Sequence, residues 1–180
     1  MHVIATDVSD TKDKMARMAK MQLEKPGFAI DPYFYRSHIT YQSELEHIVF
    51  KSWLYAGHIS QIPNKGDYFL VDIGEDSIIV CRDRKEQIHA MHNMCRHRGA
   101  RVCEESSGNK RTFLCPYHGW GYGLDGKLKA ARDMRDVEGF DFDDYGLLHV
   151  RMEIFQGMIF INCDPDAPDF QKPLSKISRQ

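Results

Sequence analysis

Two short segments near the middle of the chain combine cysteine with histidine, side chains that both bind transition metals. The first is Cys95-Arg96-His97 and the second is Cys115-Pro116-Tyr117-His118, with 17 residues between His97 and Cys115. Two thiolates and two imidazoles suit either zinc or an iron–sulfur cluster. Structural Cys₂His₂ zinc sites usually group Cys with Cys and His with His, whereas each segment here supplies one of each. The mixed pairing favours a dinuclear centre, and a structural zinc module is the alternative.

In such a dinuclear iron centre, one iron takes both cysteines and the other takes both histidines. This is the Rieske pattern of 2Fe–2S ligation. The sequence therefore predicts Cys95, His97, Cys115 and His118 as the metal and cofactor ligands. Because neutral imidazoles stabilise the reduced state better than thiolates, the added electron should localise on the His-ligated iron, at the end that faces a partner.

Residues next to the four ligands are predicted to shape their surroundings. Gly99 and Gly119 each follow a ligand histidine closely, and glycine permits a sharp turn that brings backbone N–H groups to the sulfurs. Tyr117 and Trp120 are expected to shield the centre from water. Arg98 is predicted to lie beside the centre, either as a contact for another chain or as a solvated side chain.

From Leu54 onward, the apolar residues follow the period of β-strands, with turn residues between the runs. Strands are predicted at residues 54–59, 68–73, 77–81 and 87–92. Asp125-Gly126 predicts a hairpin with a type I′ turn. Gln156-Gly157 separates two further strands, and the first of them, at 148–154, should bury its apolar face. Since no helices separate the strands, the sheets should be antiparallel.

Helices are predicted before the first strand. One spans Ser9 to Glu24, with Ser9 as its N-cap. A second spans Ser43 to Trp53, with Ser43 as its N-cap and a capping-box partner three residues later. Residues 28–40, between the two helices, are expected to be irregular. The acidic stretch 133–144 carries six carboxylates and is interpreted as a solvated surface loop, with recognition of a partner as the alternative.

Composition and charge exclude several classes of protein. The chain has 180 residues, a net charge of −2 and a pI of about 6.5, so it lacks the basic excess that nucleic-acid binding needs. No apolar run is long enough to cross a bilayer, and residues 1–25 contain no signal-peptide core. The expected location is therefore cytoplasmic. Five cysteines do not form an even disulfide framework, which again favours metal ligation.

The two boxes resemble those of the α subunit of Rieske non-haem iron oxygenases, the ring-hydroxylating dioxygenase family. The similarity spans about residues 28–174 and is carried by the lead-in at 53–58 and 63–68, the first box at 93–100, the second at 115–120, and the closing hairpin at 146–162. Phe34-Tyr35 and residues 53–58 are most similar to the quaternary-amine branch of the family. Members of that branch act on glycine betaine, choline, carnitine or stachydrine.

The resemblance implies a mainly β, Rieske (ISP-like) fold of antiparallel sheets with a short N-terminal helical segment. An N-terminal arm or helix at 1–40 would precede a 2Fe–2S domain at 41–165, which contains a cluster-binding subdomain at about 93–123. Residues 166–180 would form a linker toward an absent catalytic domain. No histidine follows His149, so the family's mononuclear Fe(II) site, which needs two His and a carboxylate, is expected only in that domain.

The resemblance also implies a function in electron transfer. The chain would relay single electrons from a reductase or ferredoxin to the mononuclear iron of a ring-hydroxylating or N-demethylating oxygenase, as part of an oxidoreductase. It would contain no catalytic residue, and His118 is the candidate electron exit. Full-length family members assemble as homotrimers. A stand-alone Rieske ferredoxin is the alternative.

A comparison with respiratory-chain Rieske proteins concerns the reduction potential. Those proteins carry an extra disulfide-forming cysteine in each box, at the positions of Ala100 and Tyr117 here. Their serine that bonds a bridging sulfur corresponds to Trp120. With fewer donors to the cluster, the potential is expected toward the low end of the Rieske range, at about −150 mV.

Overall fold

The computed structural model describes residues 9–134 and 136–171. The chain forms two compact units, Met1–Lys51 and Ser52–Gln180, and each is described by itself. Within the described residues, no helix has the length and apolar character that a membrane span requires.

The first unit consists of helices α1 (Lys12–Leu23), α2 (Pro32–Arg36) and α3 (His38–His47). Its helices are connected through the Asp10 carboxylate. The Tyr33 and Ser37 hydroxyls donate to Asp10 Oδ1 over 2.7 and 2.8 Å, and the Ile39 N–H donates to Oδ2 over 3.1 Å. Burial raises the pKa of Asp10, but these three bonds and one from the His38 N–H outweigh it and hold that pKa below 3.8.

The predicted helices exist, but their starts differ from the prediction. α1 is capped by Thr11 rather than Ser9, because the Thr11 hydroxyl accepts from the Lys14 N–H. α3 begins after Ser37 rather than Ser43, since the Ser37 hydroxyl accepts from the Thr40 N–H and fixes the start there. A 3₁₀ turn at Val49–Lys51 follows. The prediction that 28–40 is irregular is wrong.

Helix α2 lies in that supposedly irregular stretch, and local capping explains it. The Asp31 carboxylate accepts from the Tyr33 N–H over 2.9 Å. Pro32 occupies the first helical position, where its fixed φ suits the helix and its missing N–H costs nothing.

The second unit is built from antiparallel strands, which confirms the predicted fold class. Within its described residues the strands are β1 (Leu54–His58), β2 (Asp67–Ile73), β3 (Asp76–Arg82), β4 (Ile88–His92), β5 (Ser107–Asn109), β6 (Phe113–Leu114), β7 (Gly121–Tyr122), β8 (Leu128–Ala130), β9 (Arg151–Phe155) and β10 (Met158–Asn162). They form three sheets, with strand orders β1-β10-β9, β4-β3-β2-β5 and β6-β7-β8. The four strands predicted between residues 54 and 92 are confirmed.

The centre of the core is strand β3, in which Ser77 to Cys81 are all buried. Such a continuous buried run is typical of a strand covered on both faces. The small sheet β6-β7-β8 packs on this core through Phe113, whose ring meets the Tyr68 ring edge-on at 5.9 Å. Strands β6 and β7 are joined by residues 115–120, so this sheet positions the second Cys/His segment directly.

The turn types differ from the prediction. In the hairpin at Asp125-Gly126, only Gly126 has a positive φ, of 78°, whereas a type I′ turn needs two such residues. The Asp125 carboxylate instead accepts from the Lys127 N–H and keeps Asp125 in an ordinary conformation. The type I′ geometry occurs at Gln156-Gly157, where φ is 49° and 81°.

The face of residues 148–154 is not buried throughout, contrary to the prediction. Val150 is 9% exposed, but Leu148 and Ile154 are 44% and 42% exposed. Ile154 lies in β9, the edge strand of its sheet, and the fully buried side chains of that hairpin belong to its neighbour β10, whereas Leu148 precedes the strand.

Residues 164–171 pack on the same unit. The Trp53 indole donates to the Pro168 carbonyl over 2.9 Å, and its ring meets Phe170 edge-on at 5.1 Å. The Arg151 guanidinium donates to the Ala167 carbonyl. The domain boundaries, including a linker from residue 166, remain a prediction; its end at 172–180 lies outside the described residues.

Candidate metal centre

The two Cys/His segments form loops with the same backbone pattern. In the first loop, the Gly99 N–H donates to the Cys95 carbonyl over 2.9 Å, and the Cys95 N–H donates to the Ala100 carbonyl over 2.9 Å. In the second loop, Gly119 and Trp120 make the equivalent bonds with Cys115 over 3.0 and 2.8 Å.

Both loops turn at a glycine. Gly99 and Gly119 have φ of 74° and 71°, a left-handed conformation that glycine adopts without a steric penalty. The predicted sharp turns are therefore present.

These loops bring the four predicted ligands together as two pairs. Cys95 and Cys115 are each 2% exposed, and their thiols lie within hydrogen-bonding reach of one another. The His97 and His118 rings are half-buried, with centroids 4.7 Å apart. Within the described residues, no three His, Cys, Asp or Glu side chains converge on one point. The sulfur donors thus lie in the interior and the nitrogen donors toward the surface.

The chemistry of the donors fits a 2Fe–2S cluster. Nδ1 of His118 is buried and has no hydrogen-bond partner within the described part of the chain, although a buried ring nitrogen normally has one. A metal ion would supply that partner. The Cys115 sulfur receives backbone N–H groups from Tyr117 and His118, an arrangement that stabilises a thiolate.

The electrostatics of the site follow from burial. Burial raises the pKa of the Cys115 thiol, and the Cys95 thiol beside it raises it further, against the two N–H donors. Burial also lowers the pKa of His118, helped by the nearby His97 and Arg98. Both shifts favour the uncharged form of the side chain at neutral pH, and iron binding would displace the proton of the Cys115 thiol.

The residues predicted to surround the ligands differ in how far they are exposed. Trp120 is 3% exposed, and its ring stacks on His97 with centroids 4.9 Å apart and planes 10° apart. The ring centroid of Tyr117 lies 3.8 Å from that of His118, but the Tyr117 side chain is 59% exposed. Arg98 is exposed, and its charge acts on His118 as described above. Tyr117 thus shields its neighbour only in part.

Tyr122 is a site residue that the sequence reasoning missed. It is fully buried, and its hydroxyl lies 3.1 Å from Cys95 Sγ. The Arg96 N–H donates to the same hydroxyl over 3.0 Å. Burial, followed by the bond to Cys95, raises the pKa of Tyr122. The sequence placed Tyr122 only in a hairpin strand, and no spacing rule connected it to a cysteine 27 residues earlier.

Asn93 is a second site residue that the sequence reasoning missed, and its side chain hydrogen-bonds to the backbone on the far side of the first loop. The side chain is 2% exposed. Its Oδ1 accepts from the Val102 and Cys103 N–H groups over 3.0 and 2.8 Å, and its Nδ2 donates to the Cys103 carbonyl over 2.7 Å. Asn93 thereby connects the residues that precede and follow the loop.

A comparison with known families agrees with this geometry. Residues 52–141, which include both loops and all four predicted ligands, match the Rieske [2Fe-2S] domain. The chain belongs to the Rieske domain family. Its relatives are α subunits of Rieske dioxygenases and monooxygenases, which are oxidoreductases.

Two curated relatives and one solved structure show the extent of the similarity. This Rieske chain is 39% identical over 162 residues to biphenyl 2,3-dioxygenase subunit alpha of Rhodococcus jostii, covering 89% of the chain and 35% of the relative. It is 36% identical over 141 residues to the glycine betaine monooxygenase oxygenase subunit of Pseudomonas aeruginosa, covering 78% and 33%. Naphthalene 1,2-dioxygenase from Rhodococcus sp. superposes with a TM-score of 0.80 at 30% identity, covering 93% and 39%.

The Rieske chain therefore spans about a third of the length of the curated relatives it matches. The identities of 39% to an aromatic-ring dioxygenase and 36% to a quaternary-amine monooxygenase differ too little to favour the quaternary-amine branch.

Proposed function

We propose that this chain holds a Rieske 2Fe–2S cluster through Cys95, His97, Cys115 and His118. In this proposal it relays single electrons from a reductase or ferredoxin to the mononuclear iron of a ring-hydroxylating or N-demethylating oxygenase. The pairing of two buried sulfurs with two imidazoles, one of which has an unpartnered buried nitrogen, supports this most strongly. The oxygenase activity and the Fe(II) site belong to a catalytic domain, which is a partner in this proposal. Assembly as a homotrimer is part of the proposal for the full-length protein.

In this proposal, buried residues of the chain bind one iron and residues near the surface bind the other. Cys95 and Cys115 would bind one iron as thiolates, and their burial excludes water from that side. When bound, the cluster supplies reversible one-electron chemistry at a potential set by its ligands, hydrogen bonds and solvent exposure. His97 and His118 would bind the second iron close to the surface.

His118 is proposed as the electron exit. Its Nδ1 faces the interior, which leaves Nε2 to donate a hydrogen bond to a carboxylate of the acceptor domain. Such a bond would hold the two redox sites at a fixed separation. Tyr117, which lies against the His118 ring and is largely exposed, would form part of the same contact.

The first experiment is a visible spectrum with metal and sulfide analysis of protein purified without oxygen. We expect about two irons and two inorganic sulfides per chain, and a red-brown colour that dithionite bleaches. One zinc per chain and no colour, after attempted reconstitution, would contradict the proposal and leave a structural metal module.

Electron relay needs a second experiment. The loaded, oxidised protein is mixed rapidly with a reduced Rieske-type ferredoxin, and the visible band of the protein is followed as it bleaches. Its reoxidation is then measured with an oxygenase whose own Rieske ligands are mutated. Reduction by the ferredoxin without reoxidation by the oxygenase would favour a stand-alone electron carrier over the proposed relay.

A further inference from the structure

The acidic stretch 133–144 is more than a solvated loop. Its carboxylates are exposed, but Phe140 and Phe142, together with the following Tyr145, are partly buried and pack against the core of the second unit. Phe140 and Tyr145 stack on one another with ring centroids 4.5 Å apart and planes 22° apart. We call this pair the aromatic brace.

The aromatic brace contacts one of the site residues directly. Phe140 and Tyr145 each meet the Trp120 ring edge-on, with centroid distances of 5.8 Å. Edge-to-face contact is a favourable geometry for aromatic pairs. Trp120 is 3% exposed, so its indole is fixed by packing on this side, and its face stacks on His97.

We propose that Trp120, held by the aromatic brace, is a positioning residue that fixes the ring plane of His97. This inference rests on the proposed function, in which His97 is an iron ligand. Ligand histidines are usually oriented by a hydrogen bond from the ring nitrogen that does not bind the metal. Here a buried aromatic plane, 10° from parallel and with ring centroids 4.9 Å apart, restricts rotation of the imidazole about its Cβ–Cγ bond.

Within the described residues, no aromatic ring stacks on His118 as closely parallel as Trp120 does on His97. The ring beside His118 is Tyr117, which is 59% exposed and tilted by 36°. An exposed tyrosine can move with its own side-chain torsions, whereas a tryptophan packed against two further rings cannot. The fold therefore orients His97 by itself and leaves the orientation of His118 to contacts made outside this chain.

Pulsed EPR of the reduced protein, grown with ¹⁵N-labelled histidine, tests this asymmetry, because it resolves the couplings of the two ligand nitrogens separately. In Trp120→Leu we expect the coupling of the His97 nitrogen to shift and broaden, while the coupling of the His118 nitrogen keeps its wild-type value. Trp120→Phe keeps a flat ring and should largely restore the first coupling. Tyr117→Leu is the matched variant and should leave both couplings near their wild-type values, because the exposed Tyr117 ring does not fix His118.

Two further variants keep the test decisive where Trp120→Leu fails to load the cluster. Tyr145→Leu and Phe140→Leu remove contacts to Trp120 without touching His97, so each should shift the same coupling by less than Trp120→Leu does. Wild-type couplings in all the loaded variants would overturn the positioning role, and so would equal changes in both couplings. A wild-type protein without iron and without an EPR signal would instead contradict the proposed function itself.

Discussion

The two loops that carry the predicted ligands have the same backbone conformation, but different side chains surround them. Loop 95–100 and loop 115–120 have the same two internal hydrogen bonds, with lengths that agree within 0.1 Å, and the same left-handed glycine. Their side chains are supported very differently. Cys95 contacts the buried Tyr122 hydroxyl, whereas Cys115 receives N–H groups from its own loop.

The support is also one-sided. Trp120, which stacks on His97, and Tyr122, which contacts Cys95, both come from the second loop or the strand after it. The second half of the site thus orients the first half. Equal backbone geometry thus gives the predicted ligands similar positions in the two loops, while unequal surroundings decide how tightly each one is held.

Removal of a predicted cysteine ligand should have the same severe effect in both loops. Cys95→Ser and Cys115→Ser each remove a thiolate that the cluster needs, so each should abolish iron binding. Iron and sulfide analysis after reconstitution measures this, with Cys163→Ser, a cysteine outside both loops, as the control that keeps its iron. Normal iron content in either loop variant would exclude that cysteine as a ligand.

Substitution of the turning glycine in each loop tests whether the two backbone conformations contribute equally to the free energy of unfolding. Gly99→Ala and Gly119→Ala should each lose about 1–2 kcal/mol of unfolding free energy, because a side chain at positive φ is strained. An added Cβ would meet only the Met94 sulfur, 3.9 Å from position 99, and nothing within 4 Å of position 119. Urea unfolding should therefore give nearly equal losses.

A third glycine serves as the control for that pair. Gly139 has φ of 80° and free space around it, so Gly139→Ala should lose a similar free energy without lowering iron content. Losses for Gly99→Ala and Gly119→Ala that differ by more than about 1 kcal/mol would show that the loops are not equivalent.

Removing one hydroxyl should sharpen the contrast between the two sulfurs. Tyr122→Phe deletes the group 3.1 Å from Cys95 Sγ, and a hydrogen bond to sulfur favours the more negative, reduced state. At about 1 kcal/mol for such a bond, the midpoint potential should fall by about 40 mV, since 59 mV corresponds to a tenfold change in a one-electron equilibrium.

Tyr117→Phe is the matched control for the hydroxyl deletion. It removes a hydroxyl from the second loop, keeps the ring beside His118, and should leave the potential within about 10 mV of wild type, because no sulfur bond is lost. Protein-film voltammetry measures both variants. Equal shifts in the two would show that the potential does not depend on the Cys95 contact.

The smallest predicted effect is on stability and comes from Asp83, which lies outside both loops. It shows how the stability of the fold depends on pH without a contribution from the predicted ligands. Burial would raise the pKa of Asp83, but bonds from His89 and from the Gln87 and Lys85 N–H groups hold it below 3.8. The ionised carboxylate thus stabilises the fold above the unfolded-state pKa, and this stability is lost as the pH falls through the lower folded-state pKa.

Asp83→Asn should therefore cost about 0.5–1 kcal/mol at neutral pH. The difference from wild type should shrink below about pH 4. Thermal unfolding between pH 3 and 7 measures it on the metal-free protein. A difference that grows in acid would contradict the assigned direction of the pKa shift.

Local pattern predicted most of the elements, and tertiary contacts explain most of the errors. The strands between 54 and 92 follow from periodicity because each buries at least part of its apolar side chains. The start of α3 was predicted at Ser43, since a capping box is a local signal; Ser37, whose hydroxyl also reaches Asp10 from another element, caps the helix instead. The edge position of β9, in which Ile154 is exposed, has no local signal in the sequence.

The sequence alone predicts four metal ligands, two turning glycines and the fold class, and the last two of these are confirmed. Spacing and residue type suffice for these, because metal preference and backbone freedom are properties of single residues and short segments. The tertiary structure alone decided which neighbours support each donor. Tyr122 beneath Cys95, the aromatic brace behind Trp120, and the unpartnered Nδ1 of His118 all depend on packing between segments far apart in the chain, and such packing has no period that a sequence displays.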